Sequence, residues 1–277
     1  IVFGDWSSDV CSSDLGIGKT YGVLKELLDM EKHFIFMRLQ KSECELCSSE
    51  SGNPFNKLNN DFGTNIAFAK ETVYTWNITD NGEKTGSILT SLVNFSKTRG
   101  IDYSDVDYII IDEFIPEKIQ KRINGIGESV LNAYETVNRN RELQGRPPVK
   151  MIFLANSMNM NNEILMKFGL IDVILRMGKE DRELYVSPER GIRVYYPQHS
   201  PISEAKKNTV LYHINNAYND MALSNTFREF YDGNIKPMSL INSVPVFVYD
   251  NMYFYRMRDT GLTYVSTSKR GEFKKKY

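Results

Sequence analysis

Through residue 176 the chain alternates short, almost wholly apolar runs with stretches in which apolar residues recur every three or four positions. The first pattern predicts strands buried on both faces and the second amphipathic helices; together they predict an α/β sheet with helices on both faces. "IVFG" (1–4) reads as the opening strand, residues 19–32 as a helix with Val23, Leu24, Leu27 and Leu28 on one side, and "HFIFMRL" (33–39) as the next strand. A hairpin is expected over 72–92, with "DNG" at its turn. "DYIIIDEF" (107–114), "VKMIFLAN" (149–156) and "IDVILRM" (171–177) read as further strands. Residues 126–143 read as a helix with Ile126, Val130, Ala133, Tyr134 and Val137 on one face.

Beyond that the texture changes. Residues 178–209 are polar and carry Pro188, Pro197 and Pro201, as expected of a connector. Residues 244–267 alternate aromatic and aliphatic side chains around "DN" and "DTG", the pattern of an antiparallel meander opening a second domain. The expected division is 1–200 and 201–277. The chain opens without Met and stops at "KRGEFKKKY", so both ends are expected to be incomplete.

Composition adds little. With 41% hydrophobic and 25% charged residues the chain reads as globular, and no apolar run is long enough for a membrane span. No membrane partner is expected. Three cysteines provide no disulfide framework, and the lone Cys44-Glu45-Leu46-Cys47 lacks the second pair a zinc site requires; it reads as an exposed loop. His33, His199 and His213 are scattered. Trp76 and the tyrosines of 246–264 read as core and sheet pairs rather than base-stacking platforms.

Four elements carry chemistry. Gly16, Ile17, Gly18, Lys19 and Thr20 form the end of a G-x-x-x-x-G-K-[ST] loop at the start of a helix. Glycines let backbone N–H groups curl around phosphates, Lys supplies a point charge, and Thr offers a hydroxyl to Mg²⁺. The leading glycine of that pattern falls on Ser13. Second, the Ile109–Ile111 run ends in Asp112 and Glu113, which match a Walker B motif: Asp112 to hold Mg²⁺, Glu113 to orient and polarise the attacking water. Such acids also occur at the solvated end of any buried strand. Third, Asn156 ends the 149–156 strand, expected beside the Asp112 strand, where its polar tip would sense the γ-phosphate or simply begin a turn. Fourth, Arg139 falls opposite the apolar face of its helix, free to reach a neighbour's γ-phosphate or merely solvated; Arg141 lies nearer the apolar face and fits either role.

"GIGKTYG", "FIFMRLQK", "YIIIDEFIPEK", "ETVNRNREL" and "IFLANSMNMNN" follow one another in an order that resembles the DNA-encapsidation ATPases of small podoviruses, the phi-29-type, terminase-large-subunit-like packaging motors. The resemblance covers most of residues 1–176 and weakens beyond. It implies a P-loop NTPase of the ASCE, RecA-like kind followed by a truncated RNase-H-like α+β domain. It also implies ATP and Mg²⁺ as cofactors, and a ring homo-oligomer, a pentamer. The ring would drive double-stranded DNA through the portal connector of a procapsid in the bacterial host cytoplasm, with a packaging RNA as a further candidate partner. Lys19 and Thr20 match the family's P-loop, Asp112 and Glu113 its Walker B, Arg139 its trans-acting arginine and Asn156 its sensor strand. Arg38 matches a basic position after the second strand, where Leu39 replaces a second arginine. Asp250 is the lone candidate for a nuclease metal cluster, and one carboxylate cannot hold two metals; nuclease activity is not expected. The alternatives are another oligomeric P-loop ATPase, helicase-like or partition-type, and a DNA-binding assembly protein with a dead P-loop.

Residues 5–15, "DWSSDVCSSDL", fit none of this. They separate "IVFG" from "GIGKT", and with them removed Gly4 supplies the leading glycine. The run matches the in-frame translation of a common sequencing-adapter oligonucleotide and is read as foreign, standing where about two native residues belong. Trp6 and Cys11 then carry no biology. Its three aspartates also mask the charge: without them 34 basic residues face 32 acidic ones rather than 35.

Overall fold

The computed structural model describes residues 2–3 (backbone only), 18–116, 123–155, 162–196, 239–249, 252–266 and 269–273. Strands β1 (Val2–Phe3), β2 (Phe34–Arg38), β3 (Ile66–Lys70), β4 (Thr75–Asp80), β5 (Glu83–Ser91), β6 (Tyr108–Asp112), β7 (Lys150–Leu154), β8 (Leu184–Ser187) and β9 (Ile192–Tyr195) form one sheet in the order β3-β4-β5-β2-β6-β7-β1-β9-β8. The centre is parallel: β2 pairs with β5 and β6, and β6 with β7. Both flanks are antiparallel.

The continuous apolar runs are explained by burial on both faces. Side chains alternate across the sheet. Phe34, Phe36, Ile110, Ile152 and Leu154 pack with Val23, Leu24 and Leu27 of α1 (Lys19–Asp29), Cys44 and Cys47 of α2 (Lys41–Cys47) and Leu58 of α3 (Asn56–Phe62). Ile35, Met37, Ile109, Ile111, Met151 and Phe153 pack on the other side. There they meet Val130 and Val137 of α4 (Ile126–Asn138), Ile164 of α5 (Glu163–Lys167), and Ile174 and Met177 of α6 (Ile171–Lys179). Each such fully buried side chain contributes about 1.5–3 kcal/mol.

The expected hairpin forms as β4 and β5, with Asn81 (φ 49°) and Gly82 (φ 86°) at the turn. The expected meander forms as β10 (Ser243–Tyr249), β11 (Met252–Met257) and β12 (Thr263–Ser266), a separate three-stranded sheet with Tyr255 fully buried and Phe247 stacked on Phe254 at 4.2 Å. Trp76 is core, as expected.

Four expectations need correction. Residues 171–177 are not a strand but helix α6, which buries only Ile174 and Met177. A short apolar run does not distinguish the two; Asp172 in its first turn and Arg176 and Lys179 in its last, matched to the helix dipole, favour the helix. Residues 178–209 are not all connector: β8 and β9 pair and join the sheet, and Pro188 marks their turn. The helix expected to reach 143 stops at Asn138. The Cys44–Cys47 segment is not an exposed loop but a helix, α2, whose two thiols are buried.

Candidate active site

Strand β1 lies where a phosphate-loop strand should be: β7 separates it from β6. It runs antiparallel to β7 and β9, with Val2 opposite Ile152 and Phe3 opposite Met151. The chain therefore leaves Phe3 toward the edge opposite the one where Lys19 meets the sheet. Gly4, Gly16 and Ile17 lie outside the described residues, as do Asn156 and Asp250.

At the C-terminal edge of β2, β6 and β7 the remaining predicted residues, Arg139 excepted, converge. Gly18 opens α1 with φ 84°, and the first turn has neither an acidic residue nor a side-chain cap. The helix thus presents the positive end of its dipole at this edge. Lys19 Nζ donates to the carbonyl of Ala155, 3.0 Å away at the end of β7. Thr20 Oγ1 donates to Asp112 Oδ1 at 3.1 Å, linking positions 92 residues apart.

Asp112 shares the parity of Tyr108 and Ile110, so it points to the α1 face, as does Arg38 at the end of β2. Arg38 donates to Asp112 Oδ2 at 3.0 Å and also to Glu113. Asp112 is 5% exposed, whereas the Glu113 side chain is 56% exposed. Glu113 has φ 53°, a conformation a non-glycine residue holds at a cost that concentrates at functional sites.

Two carboxylates face one guanidinium, and the titration of Asp112 and Arg38 reflects it. Burial raises the Asp112 carboxyl; Arg38, Thr20 and Lys19 oppose the shift, but neighbouring Glu113 adds to it. Burial would lower Arg38, but Asp112 and Glu113 outweigh it and raise it. The two cations, Lys19 and Arg38, match the two carboxylates. The donors are hard oxygens, the Thr20 hydroxyl and the Asp112 carboxylate, as Mg²⁺ prefers. Among the described residues no cluster of three His, Cys, Asp or Glu could hold a metal alone. Arg38 Nε is buried and without a protein acceptor.

Arg139 is elsewhere. It follows α4 with φ 43° and ψ −122°, is exposed, and its Nε donates to Thr136 O at 3.2 Å. It lines a cleft of about 280 Å³ with Asp102, Ser104, Arg141 and Arg146, beside the segment that enters β6. Strand β6 lies between this cleft and Asp112, a separation of roughly 16 Å at about 3.3 Å per residue. Arg139 is thus at the opposite sheet edge from the acids of its own chain. Arg141, whose role was open, is buried and donates to the Ser104 carbonyl.

Sequence reasoning missed the start of α2. Gln40 and Glu43 form a capping box there, with Gln40 N donating to Glu43 Oε2 at 2.9 Å; "Q-x-x-E" is the signal, with Gln in the place Ser or Thr usually takes. Burial pushes the Cys44 and Cys47 thiols up to about 12 and about 11, so neither is a reactive thiolate at neutral pH.

A model of the podovirus DNA encapsidation protein (Gp16) matches residues 9–277. Among solved structures, the bacteriophage Phi-29 viral genome packaging motor assembly is similar at 20% identity with a TM-score of 0.57, covering 94% of this chain and 76% of that one. The Phi-28 gp11 DNA packaging motor is similar at 17% identity with a TM-score of 0.56, over 91% and 74%. These two likenesses show a shared fold. The N-terminal domain of the DNA packaging ATPase from bacteriophage phi29 aligns at 26% identity over 62% of this chain and 81% of that one, with a TM-score of 0.47. No curated protein sequence matches significantly.

Proposed function

This chain belongs to the podovirus DNA encapsidation protein (Gp16) family, and from that premise we propose that it is the ATPase of a ring that drives double-stranded DNA through a procapsid portal. The observation that carries the reading is the Thr20–Asp112–Arg38 cluster, which joins the GKT helix to the acid-bearing strand at one sheet edge. Lys19 and the first turn of α1 bind the β- and γ-phosphates. Thr20 and Asp112 hold Mg²⁺, which supplies charge neutralisation on the phosphates. Glu113 orients the attacking water and accepts its proton, and Asn156 senses the γ-phosphate. The C-terminal sheet belongs to an RNase-H-like domain without nuclease activity. The ring, its pentameric count, the portal contact and a packaging-RNA contact belong to this reading.

Arg139 acts in trans, because its own acids lie at the far sheet edge. Arg139→Ala is expected to lower turnover in the assembled ring by roughly 10³-fold or more while ATP still binds. Steady-state ATPase assays across a concentration series check this. Dispersed monomers hydrolysing ATP at the ring's rate would refute it.

Asp112 must be ionised to hold the metal, and its carboxyl is raised. Mg²⁺-dependent ATP binding is therefore expected to fall on acidification at a higher pH than an ordinary carboxylate would give. Glu113→Gln removes the neighbouring like charge, so it is expected to move that limb toward acid. Nucleotide titrations from neutral to acid pH, on both chains, read the shift.

A further inference from the structure

We propose that Arg141 is the positioning residue for Arg139, holding the strained turn that presents it to the neighbouring subunit. The inference rests on reading Arg139 as trans-acting. Arg139 has φ 43° and ψ −122°, which no side-chain bond of its own explains; its Nε reaches only back to Thr136 O. A bulky L-residue stays in such a conformation only when its surroundings over-determine it.

The surroundings are specific. Asn138, buried just before the turn, accepts from Val149 N at 2.9 Å and donates to Glu142 at 3.1 Å. That anchors the turn's start to β7. Its far side hangs on Arg141. The Arg141 N–H closes on Asn138 O at 3.1 Å, and its carbonyl accepts from Arg146 N at 2.9 Å. The buried guanidinium donates to Ser104 O, on the segment entering β6. Arg146 donates to the same carbonyl at 2.6 Å, from an exposed position.

Two cations on one neutral acceptor are a poor way to gain stability. Arg141 Nε is moreover buried without any acceptor. Burial and the neighbouring Arg146 disfavour its charge more than Asp107 and Asp105 favour it. What the guanidinium does accomplish is geometric. It ties the 138–146 turn to the lead-in of β6, whose other end carries Asp112 and Glu113. The arginine given to the neighbour and the acids kept for the subunit's own nucleotide thus hang on one strand.

The test uses full-length chain assembled as rings. Arg141→Met is expected to lower turnover by about tenfold or more with KM for ATP changed by less than about twofold, the pattern of a group felt only in the transition state. The Arg139→Ala/Arg141→Met double variant is expected to be no slower than Arg139→Ala alone. The deciding measurement is mixing. Arg141→Met subunits keep their own acids, and Glu113→Gln subunits keep their own arginine turn. Rings containing both are expected to recover turnover that neither has alone. Arg141→Lys, a milder change, carries the same mixing experiment if the Met variant does not assemble. Wild-type turnover by Arg141→Met beside an inactive Arg139→Ala would overturn this inference and leave the trans reading standing. Wild-type turnover by Arg139→Ala would remove the trans reading itself. Inactive Arg141 variants that stay inactive on mixing would mean a purely structural role, and would also overturn it.

Discussion

Glu113→Gln is expected to abolish hydrolysis, by roughly 10²–10⁴-fold, while leaving ATP and Mg²⁺ binding intact. The reason is the division of labour at the end of β6. Asp112 is buried and already engaged by Thr20 and Arg38, which suits a fixed ligand and not a mobile base. Glu113 is one residue further on, largely exposed, and linked only to Arg38 among the described side chains. It can exchange that partner for a water molecule without uncovering the core. The amide keeps the shape and loses the proton acceptor. Single-turnover hydrolysis beside nucleotide binding separates the two functions: lost binding with unimpaired chemistry would reverse the roles of the two acids.

Shortening residues 5–15 to two residues is expected to tighten ATP binding by about 10–100-fold. A phosphate loop works through several backbone N–H groups at once, each charge-assisted hydrogen bond being worth about 1.5–3 kcal/mol, so recovering one or two of them gives that change in Kd. The direction of β1 shows why the long version is at odds with a phosphate loop. Phe3 lies beside Met151, pointing away from the edge where Lys19 meets Ala155. After shortening, about six Cα–Cα steps of at most ~3.6 Å would separate Phe3 from Gly18. A reversed strand would consume nearly all of them in crossing back, leaving none to curl around phosphate. The shortened chain is therefore expected to place β1 parallel to β7. Calorimetric titration of both chains with ATP gives the comparison; equal affinities would show that the run is compatible with a working loop.

Much of the parallel centre was legible in the sequence. Strands buried on both faces must be apolar throughout, and "FIFMR", "YIIID" and "KMIFL" are almost nothing else. The apolar face of α4 was legible for the same reason, through Ile126, Val130, Ala133 and Val137. Residues 41–70 were not legible. Helices α2 and α3 are only seven residues each, too short for a period to stand out, and the start of α2 depends on a Gln–Glu cap. Helix α6 was misread because "IDVILRM" is as apolar as a strand, although only two of its side chains are buried in the core.

By itself the sequence determined the chemistry available: which residues could meet a phosphate, a metal or a water, and in what order along the chain. Local patterns carry that information because a strand or helix needs only its own side chains to declare a face. Only the tertiary structure decided which of those residues meet. Thr20 and Asp112 are joined because β2, β6 and β7 run parallel and end at one edge. Arg139 is excluded from that edge because α4 runs back along the sheet. Arg141, whose role the sequence left open, became a buried tie because the Ser104 carbonyl lies beside it. Such pairings depend on strand order and register, which no single segment encodes; they arise when separate faces are buried against one another.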